Sequence, residues 1–221
     1  MSTSNTPQLK NARPIRRIPI TSRSDYIVTD SGNRISRQSR IKGSQYITLA
    51  GKNLVEKNVT IRGDLHRPDL KAPVVSVGFY CIFEESSFIY PPARKLPISE
   101  ESALSQEQAK AICPETGKIH FPIKIGSYVY VGQGTRLEAA QIGNNVYIGK
   151  NCTIGEFANI KDCVIIEDGT VVPPYVTVSP FSRISGEPSL FIEELPESTE
   201  HVLEMYCRKV YAGIDMVGPP L

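Results

Sequence analysis

Residues 142–184 read IGNNVYIGKNCTIGEFANIKDCVIIEDGTVVPPYVTVSPFSRI, in which every sixth residue, starting with Ile142, is an Ile or Val that we call an anchor. The residue four positions after each anchor from Ile142 to Val178 is small or β-branched, and these residues form a second column. Gly follows several anchors, where we expect a chain corner with positive φ. The anchors themselves are Ile or Val at every sixth position without a miss: Ile142, Ile148, Ile154, Ile160, Ile166, Val172, Val178 and Ile184.

A period of six has one good structural solution. An α-helix would smear the anchors around its surface, because six residues turn it by about 600°. Short strands joined by tight corners place every sixth residue equivalently, and three hexads close a triangular coil whose copies stack about 4.8 Å apart. The spacing therefore predicts a parallel β-helix with vertical ladders of anchors eighteen residues apart: Ile142, Ile160 and Val178; Ile148, Ile166 and Ile184; Ile154 and Val172.

The same phase continues upstream with interruptions. Three further ladder anchors are joined to Ile142 by a step of five: Ile125, Val131 and Leu137. Two earlier triplets with sixfold spacing are Leu49, Val55 and Ile61, and Val77, Phe83 and Ile89. We therefore predict an all-β domain over residues 25–187, with loop insertions at 66–76 and 92–121. The middle of the second insertion, SEESALSQEQAKAI, is typical of a short helix.

Both ends of the chain differ from the repeats. Residues 188–221 should cap the column, with a helix at about 198–212 that has Ser198 as its N-cap and folds back across or along the coils. Residues 1–24 carry five basic and no acidic side chains, together with three prolines, and we expect a disordered arm. A basic arm that contacts an acidic partner and a mitochondrial targeting segment are the alternatives for these residues.

Composition excludes several classes of function. The formal charge of +2 gives no reason to expect a nucleic-acid partner, and no apolar run approaches the length of about 20 residues that inserts into a membrane. The five cysteines are scattered and form no CxxC pair, which favours a reduced, intracellular protein.

The residues of the repeats do not form a recognisable catalytic site. Part of the chain resembles the γ-class carbonic anhydrase pattern I-G-x-x-V-x-x-G-H-x-x-x-x-H, in which neutral imidazoles bind zinc. Here the pattern starts at Ile125, and the two histidine positions hold Gln133 and Glu138. The third ligand would fall in CIFEESSF, residues 81–88, which has no His. An acyltransferase needs a histidine as catalytic base, and the chain has only His66, His120 and His201. No Asp or Glu lies at a sequence spacing that obviously suits a catalytic relay with any of them. We therefore expect no metal, no cofactor and no catalysis.

Two sets of residues remain as structural or binding candidates. Arg62 and Asp64, in the Arg-Gly-Asp segment, are predicted to form a structural ion pair. Exposed aromatic side chains are frequent at interface hot spots. The candidates for partner binding are Tyr128, Tyr130, Tyr147 and Phe181.

Longer strings carry a resemblance to one family. SGNRISRQS and IRGDL, within residues 26–65, and AAQIG, IGKNC and ELPE, within residues 139–197, resemble the dynactin subunit 5 family. The family's usual form lacks most of the basic leader and has shorter loops where residues 66–76 and 92–121 lie in this chain.

The resemblance implies a left-handed parallel β-helix in the cytoplasm, at the cytoskeleton. It implies a scaffold at the pointed end of dynactin, supporting cargo attachment in dynein-driven transport along microtubules. The implied partners are dynactin subunit 6, dynactin subunit 4, the pointed-end actin-related protein and dynein cargo adaptors. The alternatives are an inactive relative of the γ-carbonic anhydrases or of the hexapeptide acyltransferases.

Overall fold

The described residues form a three-sided parallel β-helix followed by an α-helix. The structure, a computed structural model, describes residues 25–65, 67, 72–95, 117–213 and 220. The predicted arm at residues 1–24 and the predicted short helix within the second insertion lie outside these residues. In the described part of the chain, no helix is long and apolar enough to cross a membrane.

Three sheets form the walls of the column. Sheet 1 contains β1 (Tyr26–Val28), β2 (Arg34–Ser36), β5 (Leu54–Val55), β8 (Ile82–Phe83), β13 (Val129–Val131), β16 (Val146–Ile148), β19 (Ile165–Ile166), β22 (Ser182–Ser185) and β23 (Leu190–Glu194), neighbours in that order. Sheet 2 contains β3 (Arg40–Lys42), β6 (Thr60–Arg62), β9 (Phe88–Ile89), β14 (Arg136–Leu137), β17 (Thr153–Ile154) and β20 (Val171–Val172). Sheet 3 contains β4 (Ile47–Gly51), β7 (Val75–Phe79), β12 (Ile123–Ile125), β15 (Gln141–Ile142), β18 (Asn159–Ile160) and β21 (Thr177–Val178).

The register of the sheets follows the sixfold anchors. In sheet 3, Ile142 pairs with Ile160 and Ile160 with Val178, as the spacing predicts. The step of five between Leu137 and Ile142 is absorbed at one corner, so that Ile125 pairs with Ile142 at a spacing of seventeen. The eleven ladder side chains named from the sequence are at most 6% exposed and belong to one continuous core. Burying each Ile or Val contributes about 2 kcal/mol, which explains why the pattern is uninterrupted.

One coil was not recognised in the sequence. Ile35 pairs with Val55 and Ile41 with Ile61, so a first coil precedes the triplet that begins at Leu49. A 3-10 turn at Ser44–Tyr46 lengthens this coil and breaks the sixfold spacing.

The glycines after the anchors do not adopt positive φ, and that prediction is wrong. The left-handed residues lie at other corner positions, among them Asn145 and Asn151. Gly143 and Gly149 are instead needed because adjacent coils approach closely: a Cβ on Gly143 would lie 2.4 Å from the Asp162 carboxylate.

The second predicted insertion contains an antiparallel pair, β10 (Ala93–Arg94) and β11 (Ile119–His120). The first ends earlier than predicted, because β7 already begins at Val75. Sheet 1 ends in antiparallel strands on both sides: β1 pairs with β2, and β23 turns back to pair with β22.

The C-terminal helix lies where the sequence predicts it. Helix α1 (Thr199–Tyr211) has Ser198 at its N-cap position and Arg208 and Lys209 in its last turn. Gly213 follows with φ of +85°. The apolar face of α1 packs against the outer face of sheet 1.

Candidate interaction surfaces

Each wall presents a different chemistry to the outside. Side chains alternate between the two faces of a strand, so the residue before each buried anchor points outward. The outward columns, read along the paired strands, are Arg34, Leu54, Ile82, Tyr130, Tyr147, Ile165 and Arg183 on sheet 1; Arg40, Thr60, Phe88, Arg136, Thr153 and Val171 on sheet 2; and Thr48, Ser76, Lys124, Gln141, Asn159 and Thr177 on sheet 3.

The apolar column of sheet 1 is covered by α1. Tyr130 and Tyr147 stack in parallel with ring centroids 4.9 Å apart, and Tyr206 of α1 meets both edge-on at 5.3 and 5.7 Å. Leu203 and Cys207 are fully buried in the same cluster. Burial raises the pKa of Tyr130 and Tyr147, and raises that of Tyr206 to about 12.

The predicted exposure of Tyr130 and Tyr147 is therefore wrong: both are about 95% buried in the contact between helix and sheet. The sequence contains a signal that could have shown this. The outward column of sheet 1 is apolar from Leu54 to Ile165, whereas those of the other sheets are mostly polar, and this apolar run matches the apolar face of the helix.

Tyr128 and Phe181 are half-buried at the edge of this contact. Tyr128 stacks on Tyr80 with centroids 5.5 Å apart, and the Arg208 guanidinium lies over both rings. Arg208 also donates a hydrogen bond to the Tyr128 hydroxyl at 2.8 Å. Tyr211 donates its hydroxyl proton to the carbonyl oxygen of Gly32 at 2.6 Å, which ties the end of α1 to the first coil. Partner binding by Tyr128 and Phe181 stays a prediction.

Sheet 2 carries a cluster of aromatic and cationic side chains that the sequence did not reveal. Phe88 and Tyr90 stack with centroids 6.3 Å apart. The guanidinium of Arg136 lies 5.2 Å from the centre of the Tyr90 ring, and that of Arg62 lies 5.9 Å from it. Phe88 is 36% exposed, and Arg136 is exposed. Four residues from three strands and a corner thus form one patch of the kind that is enriched at protein interfaces.

Arg62 and Asp64 form a short ion pair, with 2.7 Å between Nε and Oδ1. The residue between them, Gly63, has no room for a side chain. A Cβ on Gly63 would lie 2.4 Å from the carbonyl oxygen of Gly43 and 2.6 Å from the Ile47 side chain. The ion pair stands at the edge of the patch on sheet 2, and its structural role stays a prediction.

The outer face of sheet 3 is polar. Lys124, Gln141 and Thr177 are exposed on it. At its corner with sheet 2, Phe157 stacks on Tyr175 at 5.2 Å and meets Phe121 edge-on. Because Tyr175 is 67% exposed, this aromatic corner is a second surface available for contact.

Neither of the two positions that correspond to zinc-binding histidines holds a histidine. Glu138 accepts a hydrogen bond from Nε of Arg136 at 3.0 Å, and Gln133 is exposed. His120 lies in the second insertion with Nδ1 3.2 Å from the carbonyl oxygen of Pro91, and burial lowers its pKa. His201 is exposed on α1, and His66 lies outside the described residues. The described residues contain no group of three His, Cys, Asp or Glu side chains able to hold a metal.

Residues 19–214 of the chain match the family described as dynactin subunit 5. The dynactin subunit 5 of Dictyostelium discoideum is 42% identical over 189 residues, which cover 86% of this chain and 83% of that protein.

Comparison with solved structures shows the fold. A hexapeptide transferase family protein from Anaplasma phagocytophilum superposes with a TM-score of 0.54 at 17% identity, over 84% of this chain and 88% of that one. The column is therefore the left-handed parallel β-helix of hexapeptide-repeat proteins.

Proposed function

The chain belongs to the dynactin subunit 5 family, and from that membership we propose that it is a non-catalytic scaffold subunit of the dynactin pointed end. In this role it supports attachment of cargo adaptors for dynein-driven transport along microtubules. We place it in the cytoplasm, at the cytoskeleton, without a cofactor. Its proposed partners are dynactin subunit 6, dynactin subunit 4, the pointed-end actin-related protein and dynein cargo adaptors.

The observation that carries this proposal is that the three walls differ in the chemistry of their outer faces. The outer face of sheet 1 packs against α1. Sheet 2 presents an aromatic and cationic patch, and sheet 3 presents a polar face. A rigid column with two chemically distinct faces can contact two neighbours at a fixed angle, which suits a subunit that joins others.

Several observations favour a scaffold over the enzymes that share the fold. The two positions that correspond to zinc-binding histidines hold Gln133 and Glu138, and neither side chain supplies an imidazole. The Glu138 carboxylate accepts a hydrogen bond from Arg136. His120 is buried in an insertion rather than open to a substrate. Likeness in fold at 17% identity carries no activity with it.

The proposal is tested by purifying the tagged chain from cells at native expression and identifying the bound proteins by mass spectrometry. We expect dynactin subunits, with the other pointed-end subunits in near-equal amounts. Replacing Phe88 and Tyr90 together by Ala should reduce their recovery several-fold, because aromatic side chains concentrate binding energy. Thr177→Ala on sheet 3 is the matched control and should change little.

Purification of the wild-type chain without any dynactin subunit would refute the proposal. Equal recovery with the wild type and the double variant would exclude the patch on sheet 2 as a contact.

A further inference from the structure

The last strand of sheet 1, β23, leaves one of its two edges open within the described residues. Within the described residues β23 is the terminal strand, paired on one side with β22. Its three consecutive apolar side chains, Leu190, Phe191 and Ile192, are 65%, 64% and 55% exposed. An exposed edge strand offers unpaired N–H and C=O groups, and proteins usually shield such edges. This edge instead combines free backbone groups with apolar side chains.

The backbone register shows which groups are available. Leu195 donates its N–H to the carbonyl oxygen of Phe181 at 2.8 Å. Hydrogen-bonded and non-hydrogen-bonded pairs alternate along antiparallel strands, so the next pair, Glu194 with Ser182, is non-hydrogen-bonded. The N–H and C=O of Glu194 therefore point away from β22, toward the open side of the strand.

The charge around this edge is acidic. Residues 187–204 contain six glutamates and neither Lys nor Arg. Glu193 pairs with Arg183, 2.8 Å from its Nε, while Glu194 is exposed at the end of the strand. This composition attracts a partner with Lys or Arg side chains.

The same charge argues against a second copy of this chain. Two copies of β23 paired through their outer edges would bring two acidic segments together, because residues 187–204 of each copy hold six glutamates and no Lys or Arg. The acidic strand thus discourages self-association while leaving its edge free, which is a known way of keeping an edge specific.

We propose that the outer edge of β23 docks an extended segment of a partner protein, one that alternates apolar with Lys or Arg residues and adds to sheet 1 as a further strand. Backbone hydrogen bonds supply affinity in this mode of binding, and alternate side chains supply specificity. Leu190, Phe191 and Ile192 provide the apolar contacts, and Glu194 provides both a backbone pairing site and a charge. This surface deepens the proposed function and rests on it, since it is a contact through which a scaffold subunit holds a neighbour.

The probe is a labelled peptide, Lys-Val-Arg-Ile-Lys-Val-Arg-Ile-Lys, titrated with the full chain and followed by fluorescence anisotropy. We expect saturable binding. A peptide of equal charge with Pro in place of both Val residues cannot pair as a strand and should not bind. Equal binding of both peptides would reduce the effect to charge alone and would overturn the proposal, as would the absence of binding.

Two substitutions at one position separate pairing from charge. Glu194→Pro removes the outward N–H and the charge, whereas Glu194→Gln removes only the charge. We expect the proline variant to bind the peptide about fivefold more weakly than the glutamine variant, the equivalent of one hydrogen bond. Equal affinities would contradict the strand-addition geometry. If the proline variant does not fold, as judged by circular dichroism, Ile192→Lys replaces it and should bind at least about fivefold more weakly than wild type.

The partner is identified by placing a photo-crosslinking phenylalanine analogue at position 191 of the tagged chain in cells. Position 175 is the control, because Tyr175 is exposed to a similar extent, 67% against 64%. We expect position 191 to crosslink to a basic, apolar-alternating segment of a dynactin subunit. Crosslinks from 191 to acidic or helical segments, or the same partner segment from both positions, would overturn the proposal. Failure of the wild-type chain to recover any dynactin subunit would refute the proposed function, whereas failure of the peptide to bind would refute this inference alone.

Discussion

Replacing Ile160 by Ala tests the stacked ladders most sharply. Ile160 is fully buried between Ile142 and Val178 in sheet 3. Ala removes three carbon atoms, worth about 2.4 kcal/mol of burial at about 0.8 kcal/mol for each. Because neighbouring coils are hydrogen-bonded in place and cannot collapse into the space, a cavity term raises the expected loss to about 3–4 kcal/mol.

For a chain of this size, each kcal/mol lowers the melting temperature by about 2–4 °C, so we expect a fall of about 6–16 °C. The assay is thermal denaturation followed by circular dichroism at the β-sheet band. Lys161→Ala is the control, because Lys161 is the next residue and is exposed. A fall of less than 3 °C for Ile160→Ala would refute the ladder as the source of stability.

Three further outcomes are expected from the structure. Gly63→Ala should lower the free energy of unfolding by about 1–3 kcal/mol in a urea titration, because its Cβ would collide with the backbone of Gly43; an unchanged midpoint would contradict this packing. The pKa of Tyr206 is raised to about 12 by burial, so the stability that the neutral Tyr206 hydroxyl contributes should be present in full below pH 10 and decrease as the pH rises from 10 to 12; the melting temperature should be lower at pH 11 than at pH 8, with a smaller drop for Tyr206→Phe. The four described cysteines are buried, and burial raises their thiol pKa values, to about 12 for Cys81 and about 11 for Cys152, so in a Cys113→Ser variant they should react with Ellman's reagent at pH 8 only after denaturation, and rapid reaction of that variant in the native state would contradict their placement.

The repeats could be predicted from sequence because each coil obeys a local rule. A strand of two or three residues buries one anchor per hexad, so the buried anchors recur as apolar residues at every sixth position of the sequence. The pairing of Ile142 with Ile160 follows from counting alone. The first coil was missed because a 3-10 turn adds residues between Ile41 and Leu49 without changing what is buried.

The surfaces could not be read with the same certainty. The exposure of Tyr130 and Tyr147 depends on where α1 lies, and contacts between residues about 60–75 positions apart leave no periodic trace. The patch around Tyr90 joins Arg62 and Arg136, which come together only when their coils stack. The β23 strand was not predicted either, because it continues no hexad and pairs antiparallel.

The central claim is that this β-helix serves as a scaffold among other dynactin subunits rather than as an enzyme. Native mass spectrometry of the chain co-expressed with dynactin subunit 6 tests it most directly. The account predicts a complex that contains both chains and no bound zinc. A homotrimer of this chain that carries zinc and hydrates carbon dioxide would contradict it.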